Sequence, residues 1–184
     1  MSSFLTPIEQ PASLAMREIY ARNQEKFGKI MTGVKVFIAR MPIAFFDFYT
    51  TVSVLDRELE LPVDIVLLLR QYVAQLNVCE FCIDTSRYAA ILAEMDVAKF
   101  DDLADYGCSP LFTDQEVAAL DYASALTINK HVDQEVFDEL ARHFSEREIC
   151  EIVHVVATEH LYNISNLGLN IHSDMFCRLP SVKK

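Results

Sequence analysis

The sequence contains little glycine or proline and no tryptophan. Its 184 residues include four glycines and six prolines, whereas 52% of the residues are hydrophobic. Disordered and low-complexity chains are rich in glycine, proline and polar residues and cannot form a core. The composition therefore excludes that class and predicts one domain with a sizeable hydrophobic core.

Positive charge is also scarce. Sixteen lysines and arginines stand against 27 aspartates and glutamates, which gives a net charge of −11 at pH 7. A surface with this charge repels phosphate backbones and anionic lipids, and no basic run offsets it. We therefore expect neither nucleic acid nor a membrane surface as a partner.

The sequence shows neither a long apolar run nor the pattern of a secretory signal. Residues 65–69 form the most apolar run, which is far too short to span a bilayer. The first ten residues, MSSFLTPIEQ, lack a basic segment followed by an apolar one. We expect a cytoplasmic protein.

The five cysteines do not form the pattern of a structural disulfide framework. They are Cys79, Cys82, Cys108, Cys150 and Cys177. An odd number in a chain of this size indicates thiols that are reduced by default. Any disulfide is therefore expected to be transient and chemical.

Helix signals dominate the chain. The start signals are Pro11, Pro42, Pro62 and the capping boxes Thr113-x-x-Glu116 and Ser145-x-x-Glu148. Gly28 and Gly168 follow periodic segments, as expected of helix ends. Only residues 32–40 are ambiguous and also fit a short strand. The pattern predicts an all-α fold, with residues 63–77 as a buried central helix.

Cys79 and Cys82 lie three residues apart in the segment NVCEFCIDTS. A zinc site needs four ligands, and the other cysteines and histidines offer no matching half-site. If a helix restarts near Asn77, both sulfurs lie in its first turn, where unpaired N–H groups and the helix dipole stabilise a thiolate. This favours a redox pair, with two inert buried thiols as the alternative.

Glu148, Glu151 and Glu159 lie along one side of the predicted last helix, with His154 at the edge of that side. Glu151-x-x-His154 matches one element of a di-iron bundle, but no other histidine has a glutamate three residues before it. We interpret these glutamates as a solvated or subunit-facing acidic stripe.

Several segments resemble those of a known family. The run LRQYVAQLNVCEFCIDTS resembles the signature of the alkylhydroperoxidase D (AhpD-like) and carboxymuconolactone decarboxylase family. The segments ARMPIAFFDFY, SPLFTDQEVAALDYASAL and FSEREICEIVHVVATEHLYNISNLGLNIHSD resemble other helices of its peroxidase-related branch. The resemblance implies a single all-α domain over residues 1–184, with a core at about 39–174, that oligomerises through helix packing as a trimer or hexamer.

The same resemblance implies thiol-based reduction of hydroperoxides without a cofactor or metal. Cys82 would attack the peroxide, and Cys79 would resolve the resulting sulfenic acid as a disulfide. A dithiol reductant such as a lipoyl or thioredoxin-like protein would then restore the pair. The aromatic residues Phe45, Phe46, Phe48 and Tyr49 are predicted as core, with an alternative role in lining a pocket for an organic hydroperoxide.

The sequence departs from this family at both members of its proton relay. The family motif CxxCxxxH has a histidine where this chain has Ser86, and a glutamate twelve residues before the first cysteine where this chain has Leu67. The substitutes that the sequence offers are Ser86 itself, Asp64 and Gln71 one turn either side of Leu67, and Glu159 and His160 of the last helix.

The lost relay leaves alternatives to a peroxidase open. One is a redox-responsive or binding module, in which the disulfide alters assembly. Another is a lactone decarboxylase, which we rank last because it leaves the cysteine pair unexplained.

Overall fold

The protein is described here by a computed structural model, which covers residues 2–178. This part of the chain forms nine α-helices and short 3₁₀ turns, without a strand. The helices are α1 (Leu14–Phe27), α2 (Thr32–Val36), α3 (Ile43–Leu55), α4 (Val63–Leu76), α5 (Glu80–Leu92), α6 (Ala98–Asp101), α7 (Asp114–Asn129), α8 (Gln134–His143) and α9 (Glu146–Leu167). None of them is both long and apolar enough to cross a membrane.

Most of the predicted helix starts are confirmed. Pro42 and Pro62 are the N-caps of α3 and α4, and both capping boxes form at the starts of α7 and α9. Pro11 is the exception, because α1 begins three residues later with Ser13 as its N-cap. The proline is tolerated ahead of the helix without starting it.

The predicted helix ends are also found, although the two glycines differ. Gly28 ends α1 in the left-handed conformation, with φ +70°. Gly168 follows α9 with φ −60°, so the end of that helix does not depend on the freedom of glycine. The ambiguous residues 32–40 form α2 and the 3₁₀ turn Ile38–Arg40.

Helix α4 is the central helix, as predicted. It packs against α5, α7 and α9, and its side chains Leu68, Leu69 and Val73 are fully buried. Burial of a leucine or valine side chain contributes roughly 1.5–3 kcal/mol. Arg70 and Gln71 are buried on the same helix, and such polar groups need partners inside the fold.

A sharp turn at Val78 delivers the cysteine pair to the start of α5. Val78 has φ +56°, and the next residue, Cys79, donates its backbone N–H to the carbonyl of Ala74 at 2.9 Å. A β-branched residue is strained in the left-handed region, where asparagine is tolerated. The Val78 side chain is 72% exposed, so packing does not compensate for this strain.

We expect Val78→Asn to increase the free energy of unfolding by about 1 kcal/mol, because it relieves this backbone strain. Urea denaturation followed by circular dichroism measures the change. Val63→Asn is the matched control, since Val63 is also largely exposed, at 61%, but lies in a right-handed helix, and it should give no gain. A loss of stability at position 78 would contradict the prediction.

Candidate active site

Cys79 and Cys82 lie at the start of α5, as the sequence predicts. Cys79 is the N-cap residue, Cys82 is in the first turn, and a disulfide joins them across a Cα–Cα distance of 5.3 Å. Both are buried, with exposed fractions of 1% and 4%. Cys79 packs in a small apolar cluster with Val36 and Ile171, whereas Cys82 also lines a cavity. Of the two sulfur-bearing residues, Cys82 is the one that lines this cavity.

The cavity has a volume of about 450 Å³ and lies among α1, α3, α5 and α9. This volume is in the range of small-molecule binding sites. Its aromatic lining residues are Phe27, Phe37, Phe46, Tyr49, Phe81 and Tyr162. The lining is therefore mainly apolar around the sulfur.

The aromatic group on α3 is divided by the fold. Phe46 and Tyr49 line the cavity, and Phe45 packs with them against an apolar cluster near the N-terminus. The buried members of this cluster are Met16, Ile19, Tyr20, Val34 and Ile38. Phe48 is 48% exposed, so its prediction as a core residue is wrong. Its ring packs on Phe45 and Tyr49, with centroid distances of 6.3 and 5.7 Å, but lies on their solvent side.

One face of α9 supplies the polar groups of the cavity. Glu159, Tyr162 and Asn166 recur at helical spacing, and all three line it. The Asn166 side-chain amide donates to the sulfur of Cys82 at 3.5 Å. Gly33 of α2 lies against this amide, because a Cβ at that position would be 3.3 Å from Asn166 Oδ1. Asn166 was not predicted, and the only signal for it was the Asn-rich end of the last helix.

Glu159 is a carboxyl group with an exposed fraction of 4% at the edge of this cavity. Burial raises its pKa, opposed by the Arg70 guanidinium at 3.2 Å and by the Asn163 amide, which donates to it at 2.7 Å. Arg70 also pairs with Asp56 at 2.7 Å, so its charge is shared between two carboxylates. Glu159 can therefore hold a proton at a higher pH than an exposed glutamate.

The predicted solvated acidic stripe is wrong for two of its three glutamates. Glu151 is buried like Glu159, and its Oε2 accepts from the backbone N–H groups of Glu60 and Leu61 at 2.8 and 2.9 Å. Glu148 is only partly buried and lies in the capping box of α9. The buried carboxylates find donors on residues that are distant in sequence, and a helical pattern does not reveal such donors.

Glu151 and His154 do not share a metal site. His154 Nε2 lies 3.6 Å from Asp56 Oδ1, whereas Glu151 is occupied by Arg147 and the backbone ahead of α4. Within residues 2–178, no group of three or more His, Cys, Asp or Glu side chains is arranged to bind a metal ion.

Three of the other relay candidates, Ser86, Gln71 and Asp64, lie outside the cavity. The Ser86 hydroxyl bonds to Gln71 Oε1 at 2.6 Å and to the backbone carbonyl of Cys82 at 2.7 Å, and not to the sulfur. Asp64 is exposed in the first turn of α4, where it accepts from the backbone N–H of Ile65 at 2.9 Å. Leu67, which replaces the family glutamate, packs against the hydrophobic core around α4.

His160 connects to the site only through a chain of hydrogen bonds. Its Nδ1 lies 3.2 Å from the side-chain amide of Asn77, which also donates to Asn163 Oδ1 at 2.8 Å. Asn163 in turn donates to Glu159. Burial lowers the pKa of His160, and the charge of Lys130 adds to this effect, so the imidazole favours its neutral form.

The three remaining thiols lie away from the cavity. Cys108 and Cys150 are exposed. Burial, together with the neighbouring Asp84, raises the pKa of Cys177 to about 11, so this thiol carries little thiolate at neutral pH.

No protein-family model matches the sequence. A solved structure from Ralstonia eutropha JMP134, an uncharacterized peroxidase-related protein with an alkylhydroperoxidase AhpD core, superimposes with a TM-score of 0.79. The two are 19% identical, and the match covers 95% of this chain and 94% of the other. The chain has the AhpD fold.

Two further proteins resemble this AhpD-fold chain. The debrominase Bmp8 has a TM-score of 0.78 at 20% identity over 97% of this chain and 96% of its own, and it has also been solved with 2,3,4-tribromopyrrole. The uncharacterized protein YnjA of Escherichia coli (strain K12) is 28% identical over 161 residues, which is 86% of this chain and 87% of YnjA. The predicted all-α AhpD-like fold is thus confirmed.

Proposed function

We propose that this protein is a thiol oxidoreductase that reduces organic hydroperoxides with Cys82 and Cys79. The observation that carries the proposal is the position of Cys82. It belongs to a CxxC pair at a helix start, and it lines an apolar cavity that is also lined by a buried carboxyl group. The AhpD fold supports the assignment, since a peroxidase-related protein shares it.

In the first step, the Cys82 thiolate attacks the outer oxygen of the hydroperoxide. An S–O bond forms, the O–O bond breaks, and the alcohol leaves once it has taken a proton. The start of α5 favours the thiolate through its dipole. The Asn166 amide, 3.5 Å from the sulfur, supplies a hydrogen bond to the same charge.

In the second step, Cys79 closes the cycle on the protein. Its thiol displaces water from the Cys82 sulfenic acid and forms the disulfide, which the 5.3 Å Cα separation accommodates. A dithiol reductant, such as a lipoyl or thioredoxin-like protein, then reduces the Cys79–Cys82 disulfide to two thiols and is itself oxidised to a disulfide. The sum is one hydroperoxide and one dithiol converted to alcohol, water and one external disulfide.

Glu159 is proposed as the group that moves the proton. Neither Ser86, bonded to Gln71, nor the apolar Leu67 is suited to this task. Glu159 lines the same cavity as Cys82, and its raised pKa suits a carboxyl that accepts the thiol proton and returns it to the leaving alkoxide. Arg70 and Asn163 hold it in place.

We further propose that the protein works as a cytoplasmic homo-oligomer, a trimer or hexamer. Large apolar side chains remain exposed on the described surface, among them Leu14, Val63 and Ile164. Contacts between subunits would remove such side chains from water. A reducing compartment would keep the thiols ready for reaction.

Reductive debromination of a small aromatic ring is a second candidate. The similarity to the debrominase Bmp8, together with a cysteine in an aromatic-lined cavity, favours it. Cys82 would take the bromine as an S–Br species while the ring gains a proton. Cys79 would then displace bromide and form the same disulfide.

A single-turnover experiment tests the proposal. The reduced protein receives one equivalent of cumene hydroperoxide or of 2,3,4-tribromopyrrole without any external reductant. We expect the hydroperoxide to give one equivalent of alcohol and a Cys79–Cys82 disulfide, seen by peptide mass spectrometry, within seconds to minutes. Bromide release together with an unreactive hydroperoxide would favour the second candidate. No disulfide with either compound would contradict both and favour a binding module.

A further inference from the structure

Three cations line the cavity without a hydrogen-bond or salt-bridge partner among the described residues. Arg22 and Lys26 come from α1, and Arg57 comes from the 3₁₀ turn after α3. Their side chains form no hydrogen bond or salt bridge with residues 2–178. The Lys26 ammonium lies over the Phe27 ring, at 4.9 Å from its centroid.

This arrangement is unusual for the chain. Every other lysine and arginine in the described part has a salt bridge or a side-chain hydrogen bond, except Arg178. The protein carries a net charge of −11, so carboxylates are plentiful partners for surface cations. Three unpaired cations that converge on one apolar cavity therefore make a local positive field in an acidic protein.

The lining of the cavity offers no free negative charge to offset these three cations. Its one acidic lining residue, Glu159, is buried and already paired with Arg70. The other polar lining groups, such as Thr50 and Ser53, are uncharged. A ligand with a negative group would thus meet free donors at the three cations and an apolar surface next to Cys82.

We infer that this site takes an apolar molecule that carries one carboxylate. The apolar body lies among the aromatic side chains near Cys82, and the carboxylate pairs with Arg22, Lys26 and Arg57. For the chemistry at Cys82 the inference rests on the proposed function, and the substrate is then the hydroperoxide of a carboxylic acid. The binding itself is independent of thiol chemistry.

Calorimetric titration of the disulfide form with octanoate and with 1-octanol tests this inference. The two probes share a chain and differ in charge. We expect octanoate to bind about tenfold more tightly at low salt, the combined effect of three solvent-accessible cations. Added salt should reduce the difference, because it screens exposed charges.

The variant Arg22→Gln/Lys26→Gln/Arg57→Gln should bind both probes with equal affinity. Arg17→Gln is the matched control, since Arg17 lies on α1 but does not line the cavity, and it should retain the preference. All four side chains are exposed, so the fold should be retained, and circular dichroism verifies this.

Three outcomes would overturn the inference. They are equal affinity of the wild type for both probes, no binding of either, and a preference that survives in the triple variant. Light scattering adds a further test by measuring the molecular mass of the triple variant. If this mass changes while the affinity for octanoate does not, the cations belong to a contact between subunits. A protein that binds octanoate but consumes no hydroperoxide would refute the proposed function and leave this inference intact.

Discussion

Replacing Cys82 with serine should abolish hydroperoxide consumption, a loss of roughly a thousandfold or more. A serine hydroxyl is not ionised at neutral pH and does not attack the O–O bond. The similar size of serine keeps the buried position filled, so the fold should be retained. The rate is measured with cumene hydroperoxide and dihydrolipoamide in excess.

Cys79→Ser separates the two thiols. It should still react once with hydroperoxide, because Cys82 remains, but it cannot form the disulfide. Dimedone labelling should therefore trap a sulfenic acid on Cys82 in this variant. The opposite assignment, with the sulfenic acid on Cys79 in Cys82→Ser, would show that the two roles are exchanged.

Cys150→Ser is the control for these variants, since Cys150 is exposed and lies outside the cavity. It should leave the rate unchanged. Equal rates for the wild type and Cys82→Ser would exclude the thiol mechanism.

The second large effect is expected at Glu159. Glu159→Gln should lower the rate of sulfenic acid formation about a hundredfold, the lower end of the range for general acid–base catalysis. Glutamine occupies the same space but cannot accept the proton of the thiol. Arg70 keeps its pair with Asp56, so no buried charge is left without a partner.

The pH dependence separates a proton-transfer role from a structural one. Burial raises the pKa of Glu159 above its ordinary value of 4.5, so the rate of the wild type should rise with pH through that raised pKa as the carboxylate forms. This rise should disappear in Glu159→Gln. Glu159→Asp keeps an ionisable group with a shorter reach and should recover part of the rate together with the pH dependence.

Glu151→Gln is the matched control, because Glu151 is a buried carboxylate on the same helix that does not line the cavity. It should lower stability, through weaker bonds to the backbone at Glu60 and Leu61, and leave the rate unchanged. A similar loss of rate in both variants would mean that Glu159 acts only through the fold.

The parts of this protein that the sequence predicted depend on local interactions. Pro42 and Pro62 exclude a preceding turn of helix, and the capping boxes at Thr113 and Ser145 satisfy N–H groups three residues away. The position of Cys79 and Cys82 at a helix start follows from the same short-range signals. The apolar pattern around residues 63–76 likewise predicted the buried central helix.

Predictions that depended on distant partners were less successful. Glu151 was assigned to the surface because its pattern gives no sign of the N–H groups of Glu60 and Leu61, some ninety residues earlier. Asn166 was not predicted, since only the packing of α2 and α5 on α9 brings its amide to the sulfur. Of the five relay candidates, sequence spacing did not show that Glu159 alone lines the cavity.

The sequence by itself determined an all-α domain with a cysteine pair at a helix start and without the usual histidine and glutamate beside it. Helix boundaries and first-turn geometry depend on a few neighbouring residues, so composition and spacing suffice for them. Only the tertiary structure decided which cysteine lines the cavity, which buried carboxyl group lines it too, and which unpaired cations lie around it. These features arise where helices that are far apart in sequence pack together, and side-chain type along one helix does not specify them.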